Sequence, residues 1–599
     1  ADVIDLATAN PSSTTVTSIS SLTVGRSAAS TANAVETVNI ALGASDTTTT
    51  NYGTTINALD AQYSSTLVLT GAGGLELDSV ELADPAGTAT AVIDASGMSG
   101  KLKLDTGFKT TASDTVTITL GSGTNTVDFA AEGLDADSVI GTTGAKDTVS
   151  LLEAAADTEM TITSIDTVKL TGAGASQKIS AKNMTDVGVI AIYDAGNGDA
   201  GGDDVSLEEI AAGQAIEIHS TDATSEDWDG GTVTLNLATG VTEASIAIKG
   251  DTALEGTGVI SSDIVTMNLA VDNKTTAGVY FDQTVVLSNT ATTAVLTTLN
   301  ITGGGAVSST ANSTTTITAT NNVNIATLDA TGYTGNLDIS GATTKAGGSV
   351  TLGSGANKVT VALADLALDT LTIDGGDGSD TLIAADLANA LYRPTLLNIE
   401  KLDLDLTTGT ATELSLADSS GVATIELDLD STDENFTVSS ATSVTAYKLE
   451  AAAAATSDII TLGSGATLTV SNVNAVLGDN ATSLVFPNAA DLTVKVGKST
   501  ANATTAAIDL TTLTTASATS ITMGGNDIDV ATAAEYIGKI DINTLVAAKL
   551  TDLTLDLDQG AIDLDTVTAA KLTNVTVTGD NGLVFGTTGA TTTSLASFD

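Results

Sequence analysis

The sequence predicts a mostly β, multidomain protein made of β-solenoid or β-roll coils and β-sandwich-like strands, with a few short helices. Three observations support this class. The apolar residues, 42% of the 599 residues, are mainly aliphatic, and aromatic residues make up only 3%. The many Thr, Val and Ile residues suit pleated strands, and segments such as 35–40 and 550–557 alternate apolar and polar residues. The 57 glycines indicate many tight turns between these strands.

An internal duplication organises the chain. Segments from two regions match at a nearly constant offset of about 233 residues. The matched pairs are residues 66–71 with 298–303, 93–104 with 328–339, 119–127 with 351–359, and 164–170 with 398–404. Recurring strand-and-turn units are typical of stacked coils.

The pattern predicts four domains. They are a β-rich domain (1–180) with the first repeat copy at about 35–175, an acidic Gly/Asp-rich insertion with a short helix (181–262), the second copy with a calcium turn (263–412), and a C-terminal β-rich domain (413–599). In the last domain, residues 547–551 recur 22 residues later at 569–573. Acidic or hydroxyl residues that could cap helices predict short helices at 204–212, 384–391 and 531–537.

Charge and composition restrict the function. The chain has 73 acidic and 20 basic residues, a net charge of −53, which argues against nucleic-acid partners and favours a surface that collects divalent cations. No cysteine is present, which excludes disulfides and thiol chemistry, and no apolar run predicts a membrane span. With one histidine and two arginines, the chain has little equipment for acid–base catalysis, so we predict that it is not an enzyme. A β-helical polysaccharide-degrading enzyme is the alternative.

Residues 375–383, Gly-Gly-Asp-Gly-Ser-Asp-Thr-Leu-Ile, have the form of the nonapeptide turn of calcium-binding β-rolls. Glycines permit positive-φ turns that point carbonyl groups inward, and aspartate adds the hard oxygen that calcium prefers. The predicted metal-binding residues are Asp374, Gly375, Gly376, Asp377, Gly378 and Asp380. A plain structural turn is the alternative. In the first copy, residues 141–148 align with 374–381, so that Gly141 is opposite Asp374 and Asp147 opposite Asp380, but Lys146 adds a positive charge, and we predict a turn without metal there.

Two other groups of turns are candidates for metal binding. The loop 194–204 is the densest acidic, glycine-rich segment, and its candidate calcium ligands are Asp194, Asn197, Asp199, Asp203 and Asp204. The alternative is a solvated loop in which Asp203 or Asp204 caps a helix. Gly-Ser-Gly follows Thr-Leu at 121–123, 353–355 and 463–465, with Asn125 and Asn357 where an aspartate could stand. These are interpreted as structural turns, with calcium binding through carbonyl groups as the alternative.

Trp228, the only tryptophan, is flanked by acidic residues and lies close in sequence to His219, the only histidine. An aromatic side chain beside carboxylates can bind sugar, although a lone tryptophan more often packs in a core. Both interpretations stay open.

The order of these motifs resembles the surface-layer proteins of Gram-negative bacteria that carry RTX-type calcium turns. The motifs are Asp-Ala-Ser/Thr-Gly-x-Ser/Thr-Gly-x-Leu, Thr-Leu-Gly-Ser-Gly-x-Asn-x-Val, Gly-Gly-Asp-Gly-Ser-Asp-Thr-Leu and Asn-Ile-Glu-x-Leu-x-Leu. The resemblance implies a secreted, calcium-dependent surface-layer subunit that assembles into a two-dimensional lattice or fibre on the cell surface, and attachment to lipopolysaccharide or another surface glycan. The alternative is a secreted adhesin or biofilm-matrix protein that binds polysaccharide through a β-solenoid.

Overall fold

A computed structural model describes the chain, and strands are the only regular elements among its described residues. Every strand pair it describes is parallel, which confirms the predicted β-solenoid class. Antiparallel pairs, typical of sandwiches, do not occur among these residues. The described residues are 2–7, 17–24, 35–43, 53–61, 64–82, 90–105, 115–129, 137–144, 146–152, 159–171, 177–193, 204–219, 228–229, 232–249, 254–255, 257–261, 264–272, 282–289, 296–304, 314–320, 324–340, 343–361, 371–384, 391–406, 412–429, 435–451, 459–463, 467–472, 476–477, 483–496, 507–526, 539–558, 560–586 and 597–598.

The strands belong to two compact units. Unit 1 consists of Ala1–Gly305 and Thr310–Val323, and unit 2 of Ala306–Ser309 and Asn324–Asp599. The four domains predicted above remain a prediction. In both units each coil places one strand in each of two or three sheets, and the strands of successive coils lie side by side.

Unit 1 contains three main sheets. Sheet 1a comprises β1 (Asp2–Ala7), β4 (Val35–Leu42), β7 (Thr66–Gly71), β10 (Thr90–Met98), β12 (Thr115–Thr119), β14 (Ser138–Ile140), β16 (Thr161–Thr163) and β19 (Met184–Thr185). Sheet 1b comprises β2 (Thr17–Ile19), β5 (Thr54–Ile56), β8 (Leu75–Leu77), β11 (Leu102–Leu104), β13 (Asn125–Phe129), β15 (Thr148–Leu152), β17 (Thr167–Thr171), β20 (Val189–Tyr193), β22 (Ala215–His219), β25 (Glu243–Lys249), β28 (Thr266–Val271) and β30 (Thr298–Gly303). Sheet 1c comprises β18 (Gln177–Ser180), β21 (Val205–Ile210), β24 (Thr232–Leu237), β27 (Thr257–Ser261), β29 (Gln283–Asn289) and β31 (Thr314–Thr320). Short strands form two further ladders, β3 (Leu22–Thr23) with β6 (Leu59–Ala61) and β9 (Val80–Leu82), and β23 (Trp228–Asp229) with β26 (Leu254–Glu255).

Unit 2 also contains three sheets. Sheet 2a comprises β32 (Asn324–Tyr333), β34 (Thr343–Thr351), β36 (Thr372–Asp374) and β39 (Thr395–Leu397). Sheet 2b comprises β33 (Asn336–Ser340), β35 (Lys358–Val361), β37 (Thr381–Ala384), β40 (Lys401–Leu406), β42 (Thr424–Leu429), β44 (Ala446–Ala451), β46 (Thr467–Asn472), β49 (Asp491–Val496), β51 (Ser520–Asn526), β53 (Asp552–Asp556), β55 (Asn574–Thr578) and β57 (Ser597–Phe598). Sheet 2c comprises β38 (Leu391–Tyr392), β41 (Thr412–Ser415), β43 (Asn435–Ser439), β45 (Ile459–Leu462), β48 (Ser483–Phe486), β50 (Ala507–Thr515), β52 (Lys539–Ala547), β54 (Ile562–Thr568) and β56 (Leu583–Phe585), with β47 (Val476–Leu477) beside β50.

The core of the coils is a set of aliphatic stacks. Because side chains alternate between the two faces of a strand, every second residue points into the coil. The parallel register places each inward-facing residue beside an inward-facing residue of the next coil. One such row is almost fully buried and runs through Val168, Ile190, Ile216, Ile246, Leu269 and Ile301. Aliphatic burial of this kind gives the coils their stability.

The helix predicted at residues 204–212 is wrong, because this segment forms β21 of sheet 1c. Val205 and Leu207 are buried at the alternation of a strand, and Ile210 is buried one position later than that alternation requires. The shift comes from Glu209, whose φ of 54° places an extra residue in the strand and changes its register against β24. In the second predicted helix, 384–391, Ala384 ends β37 and Leu391 begins β38, and residues 385–390 lie outside the described residues. The third predicted helix, 531–537, lies wholly outside the described residues.

Candidate metal centre

The turn 374–380 connects β36 to β37 and stacks on the turn 353–355 of the preceding coil. Ser354 and Asp377 form a parallel bridge between the two turns. Gly376 and Gly378 have φ values of 82° and 143°, and a Cβ at these positions would lie 2.3 Å from Gly353 O and 2.0 Å from Gly355 O. Only glycine allows this close stacking of backbone on backbone.

The carbonyl groups of these turns point inward, and the Asn357 amide group lies among them. Asn357 is buried, and its Nδ2 donates to Gly353 O (3.3 Å), Gly355 O (3.1 Å) and Gly375 O (3.2 Å). An amide N–H group therefore fills the place where inward carbonyl groups could otherwise attract a cation. This geometry favours the structural-turn interpretation of Gly-Ser-Gly at 353–355.

Asp380 is the buried carboxylate of the turn. Its side chain is fully buried, its Oδ1 accepts from the Asn357 N–H (2.8 Å), and its own N–H donates to Glu400 Oε2 (2.7 Å). Its Oδ2 is buried without a hydrogen-bond partner. Burial raises the pKa of Asp380 to about 6, and the Glu400 and Asp374 carboxylates act in the same direction. A buried carboxylate oxygen without a donor needs either a proton or a cation.

The other two predicted aspartates lie elsewhere on the turn. Asp374 is partly exposed, and its Oδ1 accepts from the Gly376 N–H (3.1 Å) and from Asn398 Nδ2 (2.8 Å), while Asp377 is exposed. Within the described residues, no group of three or more Asp, Glu, His or Cys side chains is arranged to hold a metal ion. A cation here would therefore depend on Asp380 and carbonyl groups more than on a cluster of carboxylates.

The donors near Asp380 are of the kind that calcium prefers, namely carboxylate and carbonyl oxygens. At Gly375 a Cβ would lie 2.1 Å from Asn398 O and 2.7 Å from Asp380 Oδ2, so both oxygens face the same small space beside the glycine. The donor set fits a hard cation, which Asp380 and the Asn398 carbonyl group would help to hold.

Unit 1 contains an equivalent turn. A Cβ at Gly141 would lie 2.2 Å from Ser164 O and 2.8 Å from Asp147 Oδ2, so Gly141 is the structural equivalent of Gly375. The sequence alignment, which places Gly141 opposite Asp374, is therefore wrong by one residue at this position. Asp147 is buried, and Asn125 Nδ2 donates to its Oδ1 (2.8 Å) as well as to Gly121 O and Gly123 O. Ile140 therefore stands in the place of Asp374.

The acidic loop is only partly described. Asp194, Asn197, Asp199 and Asp203 lie outside the described residues, so the structure does not test whether they bind calcium. Asp204 is exposed, and its Oδ1 accepts from the Thr232 N–H (2.9 Å) of the neighbouring coil. It precedes a strand, so it caps no helix.

Sequence reasoning missed Glu400 and Asn398 as neighbours of the turn. Asp380 lies between Asn357 and Glu400 of the coils on either side, because β35, β37 and β40 pair in register at the residues that follow. The signal that could have found them is the strand register, since the residue just before each of these strands is polar. Without the coil length, the sequence does not show which polar residues meet.

The fold and the turn define a parallel β-solenoid with buried Asn and Asp side chains at its glycine turns. No helix in the described part of the chain has the length and apolar character needed to cross a membrane. Comparisons with protein-family models, with curated proteins and with solved structures found no match.

Proposed function

We propose that this chain is a structural subunit, secreted to the cell surface, that self-assembles into a calcium-dependent layer or fibre and has no catalytic activity. The observation that carries the proposal is the orphan Oδ2 of Asp380, a fully buried oxygen in a glycine turn of a strongly acidic solenoid. Calcium bound at this turn would contact Asp380 Oδ2 in place of the missing hydrogen-bond donor and would lower the raised pKa of Asp380.

The net charge of −53 supports a role for cations in assembly. Subunits of like charge repel each other over roughly a Debye length, about 8 Å at physiological ionic strength. Divalent cations that bind acidic faces reduce this repulsion, and extracellular calcium sites are typically weak, with Kd values of about 0.1–1 mM. A coat that assembles outside the cell is a suitable use for such sites.

The test is negative-stain electron microscopy of the purified full chain in EGTA and then in millimolar calcium. We expect ordered sheets or fibres only with calcium. Asp380→Asn should require much more calcium for assembly, whereas Asp147→Asn, the matched change in unit 1, should leave the calcium requirement unchanged. Equal assembly in EGTA would contradict the calcium dependence. Single particles under both conditions would contradict self-assembly and favour the adhesin, testable by polysaccharide binding.

A further inference from the structure

The outer face of sheet 2c carries a flat strip without charged side chains. The strip crosses six neighbouring strands, β43, β45, β48, β50, β52 and β54, which pair in register. Each strand contributes a segment of three residues whose middle residue is buried in the coil and whose first and last residues point outward. The segments are 435–437, 459–461, 483–485, 512–514, 544–546 and 566–568. We call their outward residues the threonine strip.

The strip consists of hydroxyl and aliphatic side chains. Its members are seven threonines, one serine, one asparagine and three valine or isoleucine residues, so no charge lies on it. Ile459 is 50% exposed, and it belongs to the few large apolar side chains that are open to solvent among the described residues. No hydrogen bond between described side chains engages the hydroxyl groups of the strip. On sheet 1a, by contrast, Thr115 Oγ1 donates to Thr90 Oγ1 (2.9 Å).

Carboxylates border the strip on two sides. Glu413 lies beside it on β41, and the exposed Asp565 directly precedes its last segment. Three residues before the strip, the strands β50, β52 and β54 carry a row of aspartates, namely Asp509, Asp541 and Asp563. Lys539 pairs with the last two of these aspartates. The strip is therefore an uncharged surface with an acidic border.

The chemistry of the strip complements itself. A hydroxyl group both donates and accepts a hydrogen bond, and methyl groups pack on methyl groups, so two identical threonine faces can satisfy each other. A carboxylate only accepts, so a carboxylate face cannot pair with a copy of itself. The strand separation of about 4.8 Å is the same in every copy, which allows the side chains of two strips to interdigitate. On a chain with a net charge of −53, two copies can meet here without burying carboxylates.

The size of the strip fits a contact inside an assembly. Six strands about 4.8 Å apart, with two outward residues on each, give a patch of roughly 400 Å². A stable pair of proteins buries about 800 Å² on each partner, so the strip alone should not hold two copies together in dilute solution. It needs copies that other contacts already bring side by side. An assembly of this chain supplies such copies, whereas a soluble partner bound only at the strip would dissociate.

We propose that the threonine strip packs face to face on the threonine strip of a second copy within the assembly. The inference rests on the self-assembly proposed above and names one of its contacts. The same surface serves on both copies, so the contact is isologous and joins copies in pairs about a two-fold axis. Calcium reduces the repulsion between the acidic borders of the two strips, and contacts at other surfaces extend the pairs into a layer or fibre.

The first test compares Thr512→Glu/Thr544→Glu with the control Thr522→Glu/Thr554→Glu. Both variants add two charges at outward threonines that pair in register, the first on the strip and the second on sheet 2b of the same unit. Assembly of the full chain in millimolar calcium is followed by sedimentation. We expect the strip variant to raise the protein concentration needed for assembly at least tenfold and the control to raise it less than twofold. Thr512→Gln/Thr544→Gln, which adds bulk without charge, should act in the same direction and decides the result if the glutamate variant does not fold.

Cysteine cross-linking tests the two-fold geometry, because the chain has no cysteine of its own. Ser483→Cys and Thr512→Cys each place one thiol at the middle of the strip, where the two-fold axis would pass, and Thr522→Cys on sheet 2b is the control. Under mild oxidation in calcium, at least one strip variant should form disulfide-linked dimers, since the same residue of two copies meets at the axis. The strip variants in EGTA, and the control under both conditions, should stay monomeric.

The outcomes separate the strip contact from the self-assembly on which it rests. Equal assembly of the strip variants, the control and the wild type would overturn the strip contact alone. Weaker assembly of the strip variants without cross-linked dimers would mean that the strip faces a different surface and would overturn the isologous contact. Wild-type single particles in calcium would overturn both the strip contact and the proposed function. Binding of dextran that the strip variants lose, with assembly unchanged, would assign the strip to a neutral glycan and overturn the proposal.

Discussion

The turn 374–380 of unit 2 and the turn 140–147 of unit 1 share one backbone plan and differ in how they satisfy a buried aspartate. In both, an asparagine of the preceding coil donates its Nδ2 to glycine carbonyl groups. Asp147 accepts that Nδ2 at its Oδ1 and the Thr142 N–H (3.4 Å) at its Oδ2, whereas Asp380 Oδ2 has no partner. Unit 1 has its own buried oxygen without a partner, Asn125 Oδ1, whereas Asn357 Oδ1 accepts from the Leu337 N–H (3.2 Å). The comparison teaches that the same turn can leave a buried oxygen without a donor on its aspartate or on its asparagine.

The difference arises from a few residues. Asp374 accepts from Asn398 Nδ2 in unit 2, while the corresponding Ile140 in unit 1 is 40% exposed and offers no oxygen. The unit 1 turn also has one residue more, which includes Gly144 in a positive-φ conformation with open space around it. The Thr142 N–H donates to Asp147 Oδ2, whereas the equivalent Gly376 N–H donates to Asp374 Oδ1 and leaves Asp380 Oδ2 without a donor.

The largest effect should come from a Cβ in the tight turn. Gly378→Ala would combine a φ of 143° with a contact of 2.0 Å to Gly355 O, so we expect a loss of roughly 3–5 kcal/mol in the stability of unit 2. Gly144→Ala is the matched control, with a positive φ but no atom within 4 Å, and should cost about 1–2 kcal/mol. Urea unfolding measures both. Equal losses would show that stacking of the turns does not constrain Gly378.

The second effect concerns the Asn357 side-chain amide, which donates to the carbonyl groups of the stacked turns. Asn357→Asp removes three donated hydrogen bonds and brings a carboxylate toward Gly353 O, Gly355 O and Gly375 O, so we expect a loss of about 3 kcal/mol in EGTA. Calcium should restore much of this stability, because the variant has only oxygen donors at that place. Thermal unfolding with and without calcium measures the difference. Asn357→Ala, which removes the amide without adding a ligand, should lose stability and not regain it with calcium.

The third effect is a change in stability that should have opposite signs for Asp380→Asn and Asp147→Asn. Asp380→Asn keeps the acceptor for the Asn357 N–H and removes a poorly satisfied charge, so at pH 7 in EGTA it should stabilise unit 2 by about 2 kcal/mol. Burial raises the pKa of Asp147 too, but its carboxylate accepts from Asn125 Nδ2 and the Thr142 N–H. Asp147→Asn should therefore destabilise unit 1 by about 1 kcal/mol, because an amide N–H would replace an oxygen that accepts one of these hydrogen bonds. Unfolding at matched conditions tests the pair. Destabilisation by both changes would mean that Asp380 is already satisfied in the folded chain.

Much of this fold follows from local patterns, and the site follows only in part. The period of two, the aliphatic composition and the glycine turns predict stacked strands, because each is a property of neighbouring residues. The helix at 204–212 is predicted wrongly because Asp204 is of the residue type that caps helices, whereas its Oδ1 accepts from the Thr232 N–H of the neighbouring coil, a contact that depends on strand pairing. The nonapeptide indicates where Asp380 lies, but its contact with Glu400 depends on the pairing of β37 with β40, which the length of the intervening coil determines.

The effect that is smallest per pH unit is a pH dependence that Asp380 contributes in the absence of calcium. Its folded-state pKa of about 6 exceeds its ordinary value of 3.8, so between these values the folded chain binds more protons than the unfolded chain. The stability from this group is fully present below pH 3.8 and is lost as pH rises to about 6, by at most about 1.4 kcal/mol per pH unit. Asp380→Asn should remove this slope, measured by urea unfolding at several pH values in EGTA.

In millimolar calcium the slope should reverse, because the ion binds the ionised carboxylate and protons compete with it. A slope that is the same in EGTA and in calcium would show that Asp380 does not bind the ion, and the turn of unit 2 would then differ from that of unit 1 only in its hydrogen bonds.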